Sequence, residues 1–595
     1  MTEKNEQKEK KNTYKKKVDE KETNINLNSE KCCEIKTLTE QHLPEEVLNS
    51  FNQGDKSMSK EYGQKEGKET PEKRGHKEQS MNTNPNLGKC CEIGPLTPLQ
   101  RKDEAFEIRE NAAKFERDLP LPNHPCNGDE DLFASKIGNF TKTLPHNELG
   151  EVDLNAYNVF IRALTTGNPC IFEQIPLGGP TKLANPQASY AYDLTGPDSH
   201  HLTMIVPPTF SSAWRAGEMA EDYWSALARD VAFTDYDTNP TTIEAAADLS
   251  KFSDFRGPKQ DGVVTPNTLF RGNTPGDLVG PYISQFFFKN IPYGNTTIVQ
   301  RYNSPVAGED FMVTYNEWLN IQNGGLPSGS ITFDPPRRFI RNARDLGEWV
   351  HVDFTYQGML GACLILLGFG SQALDPQNPY LDSRTQDGFI TFGSAQFLEF
   401  VAKASRVALE AAWFQKFLVQ RVLRPEAFGG AVQNNLTGAT DYPINPELFE
   451  SSVLPKIFDE YGTFLLPMAY PEGSPTHPSY PAGHATNAGA CATMLKAFFN
   501  ESFVIPNPVV ASKDGLRLVP YVGPPLTVGG ELNKFASNIS LGRDLAGVHW
   551  RSDSSEGLKL GETVAIRILQ DYKDTYNENF DGFTLTKFDG TTIII

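Results

Sequence analysis

Ser474-Pro-Thr-His-Pro-Ser-Tyr-Pro-Ala-Gly-His-Ala-Thr486 is a polar, proline-stiffened stretch that runs directly into a helix. From His484 onward the residues His-Ala-Thr-Asn-Ala-Gly-Ala-Cys-Ala-Thr-Met-Leu favour helix, and Pro481 with Gly483 marks the start. Backbone N–H groups near Gly483 and His484 therefore lack intrahelical partners and point outward with the positive end of the dipole, which makes an anion site. His477 and His484 flank this turn, and each can exchange protons near neutral pH beside a bound anion.

Two further blocks supply charge. Upstream, the Ala-rich run Ser394–Leu423 reads as one long helix carrying Trp413, Lys416 and Gln420 on one face, with Arg424 at its end against Pro425. Downstream, Gly-Arg-Asp-Leu-Ala-Gly-Val-His-Trp-Arg-Ser-Asp places Arg543 before His549 and Asp553 four residues after it. In a helix starting near His549, Asp553 falls on the histidine's own face and accepts its second ring N–H, fixing tautomer and orientation. Three cations, a helix N-terminus and two histidines make a pocket for a tetrahedral oxyanion.

The ordered signature Lys416-x7-Arg424-Pro425, Pro481-Ala-Gly-His484, Arg543-x5-His549-x3-Asp553 resembles that of the vanadium-dependent haloperoxidases and of the related type 2 phosphatidic acid phosphatase group. It is most similar to the bromoperoxidases of algal and cyanobacterial type. The likeness continues through Arg271–Phe286 and Gly561–Arg567 and covers roughly residues 100–595. The resemblance implies that His549 binds vanadium, that Lys416, Arg424, Arg543 and the Gly483 N–H hold the vanadate oxygens, and that His484 is the acid–base group. It further implies catalytic roles for Lys416 and His477, and a halide neighbourhood of Trp413, His477 and Asp553 that favours bromide and iodide. The implied reaction is oxidation of halide by hydrogen peroxide to a hypohalous species, which halogenates an organic acceptor. A homo-oligomer is implied as well.

One departure stands out. The family usually has Ser where this chain has Ala482, so a hydroxyl donor to the oxyanion is missing unless water, Ser479 or Thr486 replaces it. The same pocket also fits phosphate, so a phosphatase working through a phosphohistidine on His549 is the competing enzyme. A non-catalytic oxyanion-binding protein is the third reading. Taken singly, each residue has an ordinary explanation: a solvated helix end for Lys416 and Arg424, a hydrogen-bonded core histidine for His549, packing for Trp413. The conjunction of three blocks in order favours the pocket. His351-Val-Asp353 and Asp198-Ser-His-His201 also pair acid with histidine, but no cation block accompanies them, and both read as structural.

Composition narrows the classes. The first 100 of the 595 residues carry 18 basic and 18 acidic side chains, so the net charge of −19 belongs to residues 101–595. An acidic body argues against nucleic acid as the main partner. Eight cysteines are too few for a disulfide-dense scaffold, and Cys363 and Cys491 read as buried free thiols. No apolar leader follows Met1, and the longest apolar run, Met359–Phe369, is too short to span a bilayer, so the chain reads as soluble and cytoplasmic.

Residues 1–98 are rich in Lys, Glu, Asn, Gln and Ser and read as a disordered polar tail. Within it Lys31-Cys-Cys-Glu-Ile recurs as Lys89-Cys-Cys-Glu-Ile, either a short element that docks a partner or duplicated filler. Residues 99–595 read as one mainly α domain, a helical-bundle core with long loops and little β. Arg338–Leu367 reads as a long core helix, and small residues at Ala488, Gly489, Ala490 and Ala492 let the helix after His484 approach its neighbours closely.

Overall fold

The computed structural model describes residues 96–595. The duplicated cysteine motif lies outside the described residues. By its internal contacts the chain divides into Met1–Lys102 and Asp103–Ile595, and the second unit holds the helical core.

Helices dominate, as the periodicity predicts. Those that build the site are α1 (Ala213–Ala228), α2 (Ala343–Val352), α3 (Gln357–Gly368), α4 (Ser394–Trp413), α5 (Pro425–Leu436), α6 (Gly483–Phe498), α7 (Val528–Leu545) and α8 (Arg551–Lys573). Strands are confined, among the described residues, to three antiparallel two-stranded hairpins: Ile291–Tyr293 with Thr296–Ile298, Val509–Ala511 with Leu518–Pro520, and Thr584–Thr586 with Thr592–Ile594.

α6 is the central rod. Every residue in it except His484 is buried, as for a helix enclosed on all sides. Its neighbour α8 approaches backbone to backbone because glycines face the contact: a Cβ on Gly561 would lie 2.0 Å from the Thr486 carbonyl oxygen, and one on Gly489 would lie 2.3 Å from that of Leu558. The small residues read from the sequence therefore do what their size allows. α4 closes another side through the buried pairs Asn487–Ser405 and Cys491–Val401. Cys363 and Cys491 are buried free thiols.

Two predicted helices break, and both breaks serve the site. Arg338–Leu367 is not one helix: α2 and α3 meet at a bend of 100°. The corner falls at Asp353, which ends α2 in extended conformation and turns its side chain inward. The run Ser394–Leu423 is likewise interrupted. After Trp413 the α-helix widens into a π-helical segment, Phe414–Gln420, which Arg421 ends at φ 42° in the left-handed region. Widened turns of this kind re-aim side chains and recur at functional sites. No single described helix is long and apolar enough to cross a membrane.

Candidate active site

α6 starts at Gly483 with Ala482 as its N-cap, and no side chain caps it. The first N–H groups of the helix are left for an acceptor from elsewhere. The hydroxyls near it in sequence are already committed: Ser479 Oγ donates to Asp553 Oδ2, Tyr480 Oη donates to the Ile205 carbonyl at 2.8 Å, and Thr486 Oγ1 donates back to the Ala482 carbonyl at 2.9 Å. None replaces the serine that the sequence lacks at position 482.

Against this end the π-helical turn brings Lys416, which is fully buried. Its Nζ donates to the carbonyls of Pro478 and Ser479, both at 2.7 Å, leaving one of three protons uncommitted. Arg424 does not close the preceding helix; it is the N-cap residue of α5, where Pro425 occupies the first turn. Its guanidinium donates to the His477 carbonyl at 3.0 Å, the Val548 carbonyl at 2.7 Å, His549 Nε2 at 2.8 Å and His477 Nδ1 at 3.0 Å. A guanidinium only donates, so both ring nitrogens accept. The approach of His477 Nδ1 to the Pro478 carbonyl at 3.2 Å is then a contact between two acceptors.

His549 precedes α8 rather than lying within it. Trp550 is the N-cap, and Asp553 at the third helical position reaches back to the Trp550 N–H at 3.1 Å and to His549 Nδ1 at 2.8 Å. The predicted histidine–carboxylate pair forms, but through helix capping instead of a shared helical face. With Nε2 accepting from Arg424, the proton sits on Nδ1, and the Nε2 lone pair is engaged by the guanidinium that borders the pocket. Beneath this loop, Glu218 of α1 pairs with Arg215 at 2.8 Å and accepts the Ser552 N–H at 2.7 Å, while the Arg215 guanidinium packs 4.0 Å over the Trp550 ring. Arg543, near the end of α7, donates to the Val350 carbonyl at 2.8 Å and packs over Tyr470; its buried Nε has no partner.

The electrostatics are those of an excess of positive charge. Burial and then Arg424 push the Lys416 ammonium well below its usual range, with Asp553 opposing. Burial also brings Arg424 down to about 9, against Asp553 and with Arg543. Burial, Arg424 and Lys416 hold the His549 imidazole neutral, far below its ordinary value, and burial and Lys416 do the same for His477. Asp553 is the carboxylate bound to this cluster, and burial raises its own pKa. Three cations, an uncapped helix start, an orphaned guanidinium nitrogen and an imidazole lone pair fit a bound tetrahedral oxyanion with a metal centre.

A family model described as the VCPO second helical-bundle domain matches residues 458–578, which contain α6, α7, α8 and the two downstream blocks. A vanadium-dependent bromoperoxidase of Ascophyllum nodosum is 37% identical over 526 residues, spanning 84% of this chain and 93% of the relative. The chain belongs to the vanadium-dependent bromoperoxidase family. A second relative of that name, from Corallina pilulifera, is 36% identical over 600 residues and is covered completely, with 84% of this chain. The homohexameric structure of the second vanadate-dependent bromoperoxidase of Ascophyllum nodosum superposes with a TM-score of 0.80 at 30% identity, over 88% of this chain and 94% of that one.

Within this bromoperoxidase fold, the residues singled out in the sequence converge. Lys416, Arg424, His477, His549 and Asp553 are linked through the contacts above, Arg543 bears on Lys416 and Arg424 through its charge, and Gly483 begins the helix whose cap, Ala482, donates its N–H to the Asp553 carbonyl at 3.0 Å. The Trp413 ring lies 4.8 Å from that of His477. His484 is the one residue of α6 that is not buried, and its Nε2 lies 2.9 Å from Asp353 Oδ1. Asp353, which the sequence reads as structural, is thus in contact with a residue of the predicted site. It holds the imidazole that the family resemblance makes the acid–base group. The sequence reading set Asp353 aside because no cation block accompanies it, and the predicted unbroken helix over 338–367 gave no sign of the corner. His351 joins the same rim, stacked 3.9 Å on Tyr470 and bonded to Glu472 at 2.6 Å.

Proposed function

We propose that this chain binds orthovanadate between the start of α6, the π-helical turn and the Arg543–His549 segment. There it oxidises bromide and iodide with hydrogen peroxide to hypohalous acid, which halogenates organic acceptors. Per turnover, peroxide, halide and one proton give hypohalous acid and water. The observation that carries this reading is the His549 tautomer. Asp553 accepts the Nδ1–H hydrogen bond, so the proton-free nitrogen is Nε2, which accepts from the buried Arg424 and would become a ligand atom when that N–H turns to an oxyanion oxygen.

His549 Nε2 would ligate vanadium; Lys416, Arg424, Arg543 and the Gly483 N–H would hold the oxygens. Bound there, vanadate supplies a Lewis-acidic centre that polarises peroxide without consuming a side chain. The protein's own part is positioning and charge. Fixed, buried cations and backbone donors stabilise negative charge with little reorganisation. His484, partly exposed and held by Asp353, moves the proton between peroxide and solvent. His477, a neutral imidazole beside Trp413, would stand next to the halide. Residues 99–595 would make up this catalytic domain, and a homo-oligomer like that of the Ascophyllum nodosum relative is its expected assembly.

The test is bromination of a phenol-type indicator dye with peroxide and bromide after incubation with orthovanadate, repeated with phosphate. Activity with vanadate and none with phosphate is the expected result. Silence in both, with phosphate-ester hydrolysis by the metal-free protein, would make His549 a nucleophile and the chain a phosphatase.

A further inference from the structure

Asp198-Ser-His-His201, left without a role by the oxyanion pocket, forms a short 3-10 turn over Ser199–His201. Among the described residues it is the one group of three side chains placed to share a metal ion: one ligand atom each from Asp198, His200 and His201, all within 4.8 Å of one another. We propose that these three residues bind a divalent cation of the zinc class.

Three observations support the site. Asp198 stands at the N-cap position of the turn, where an aspartate ordinarily accepts a backbone N–H, yet its side chain makes no capping bond. Its carboxylate faces the His200 ring instead, Oδ2 to Nε2 at 4.0 Å. The His201 side chain is only 4% exposed, and its buried Nδ1 has no hydrogen-bond partner. Leaving such a nitrogen unpaired costs roughly 1–3 kcal/mol, and a metal ion satisfies it. A second carboxylate stands at the edge: Glu116 Oε2 lies 3.6 Å from His201 Nδ1 and accepts the Asp198 N–H at 3.4 Å, while its other oxygen pairs with Arg567.

Two imidazoles and a carboxylate select borderline divalent cations over calcium or magnesium, which prefer oxygen. Ligand atoms around tetrahedral zinc sit about 3.3 Å apart for bonds of roughly 2.0–2.2 Å, so atoms now up to 4.8 Å apart must close by up to about 1.5 Å. Asp198 and His200, each about a third exposed, have the freedom to do so. The position ties the ion to the fold around the pocket. The Leu202 carbonyl accepts from Gln415 Nε2 at 2.8 Å, one residue before Lys416, and the His200 carbonyl lies 2.8 Å from His124 Nε2.

The experiment is Zn2+ titration of the full-length chain after chelator treatment, with bound metal counted by mass spectrometry, for wild type, Asp198→Asn and His200→Ala. Cysteines elsewhere are the same in all three, so only the difference counts. Wild type should bind one more equivalent than either variant and gain thermal stability that they do not. Co2+ should give wild type a visible absorption band absent from both. Equal zinc equivalents in all three proteins, with circular dichroism showing them folded, would overturn the proposal. Because bound zinc and the cobalt band are read without turnover, the result is independent of the vanadate reading.

Discussion

Ala482→Ser tests the start of α6 in two ways at once. The residue is the N-cap, fully buried, with φ −66° and ψ 125°, a backbone already in the conformation a capping serine uses. Both nearby hydroxyls that could stand in are engaged, Ser479 with Asp553 and Thr486 with the Ala482 carbonyl. A serine oxygen at 482 would accept an orphan N–H, stabilising the vanadate-free protein by roughly 0.5–2 kcal/mol. Its own proton would remain to donate to the oxyanion, since a hydroxyl both accepts and donates. A hydrogen bond to a charged group contributes roughly 1.5–3 kcal/mol, so vanadate should bind roughly 10- to 150-fold more tightly. Equilibrium dialysis with vanadium quantified by mass spectrometry reads the second effect, and the urea midpoint without vanadate reads the first. An Ala482→Gly control should recover most of the gain in urea midpoint, because glycine is only a few tenths of a kcal/mol worse than serine at an N-cap, but none of the gain in vanadate affinity, because it brings no hydroxyl. If dissociation constant and midpoint both stay at the wild-type values, another donor already serves this end, and the claim that α6 begins uncapped is wrong.

Arg543→Gln removes one of three clustered cations and should weaken vanadate binding roughly 10- to 150-fold. The vanadate-free protein should unfold no earlier than wild type, because repulsion on Arg424 and Lys416 is relieved; equal vanadate affinity would remove Arg543 from the oxyanion site. Asp353→Asn should lower bromide turnover roughly 10- to 100-fold through misplacement of His484 while vanadium content stays stoichiometric; a parent-like rate would make the His484–Asp353 contact incidental. His351 is pushed up to about 9: burial lowers it, but the carboxylates of Glu348 and Glu472 outweigh burial. A raised folded pKa stabilises fully below the unfolded value near 6.5, and that stability is lost as pH rises through about 9. Allowing for its partial exposure, the stability gap between wild type and His351→Gln should shrink by roughly 1–3 kcal/mol from about pH 6 to about pH 10. A pH-independent gap in urea titrations would contradict the charged pairing.

Much of the site was legible because its chemistry is local in sequence. Gly483 after Pro481 marks a helix start whatever packs around it, and the four-residue spacing of His549 and Asp553 permits contact by helix face or by cap. What was not legible depends on the local geometry bending to tertiary demands. An Ala-rich helical pattern over Ser394–Leu423 gives no sign that the turn after Trp413 widens into π-helix, where Lys416 meets the Pro478 and Ser479 carbonyls 62 and 63 residues away in sequence. The helical reading of 338–367 likewise missed the corner at Asp353.

From its sequence alone this protein is determined to be a mainly helical chain with an anion-binding helix start and a defined set of cations and histidines in order. Periodicity, glycine and proline positions and residue chemistry are properties of neighbouring residues. Which atoms meet was decided only by the tertiary structure. His549 owes its tautomer to Arg424, 125 residues away, and His484 its orientation to Asp353, 131 residues away. Ser479 and Thr486 proved unable to replace a missing serine because each hydroxyl has one proton and the fold had already spent it.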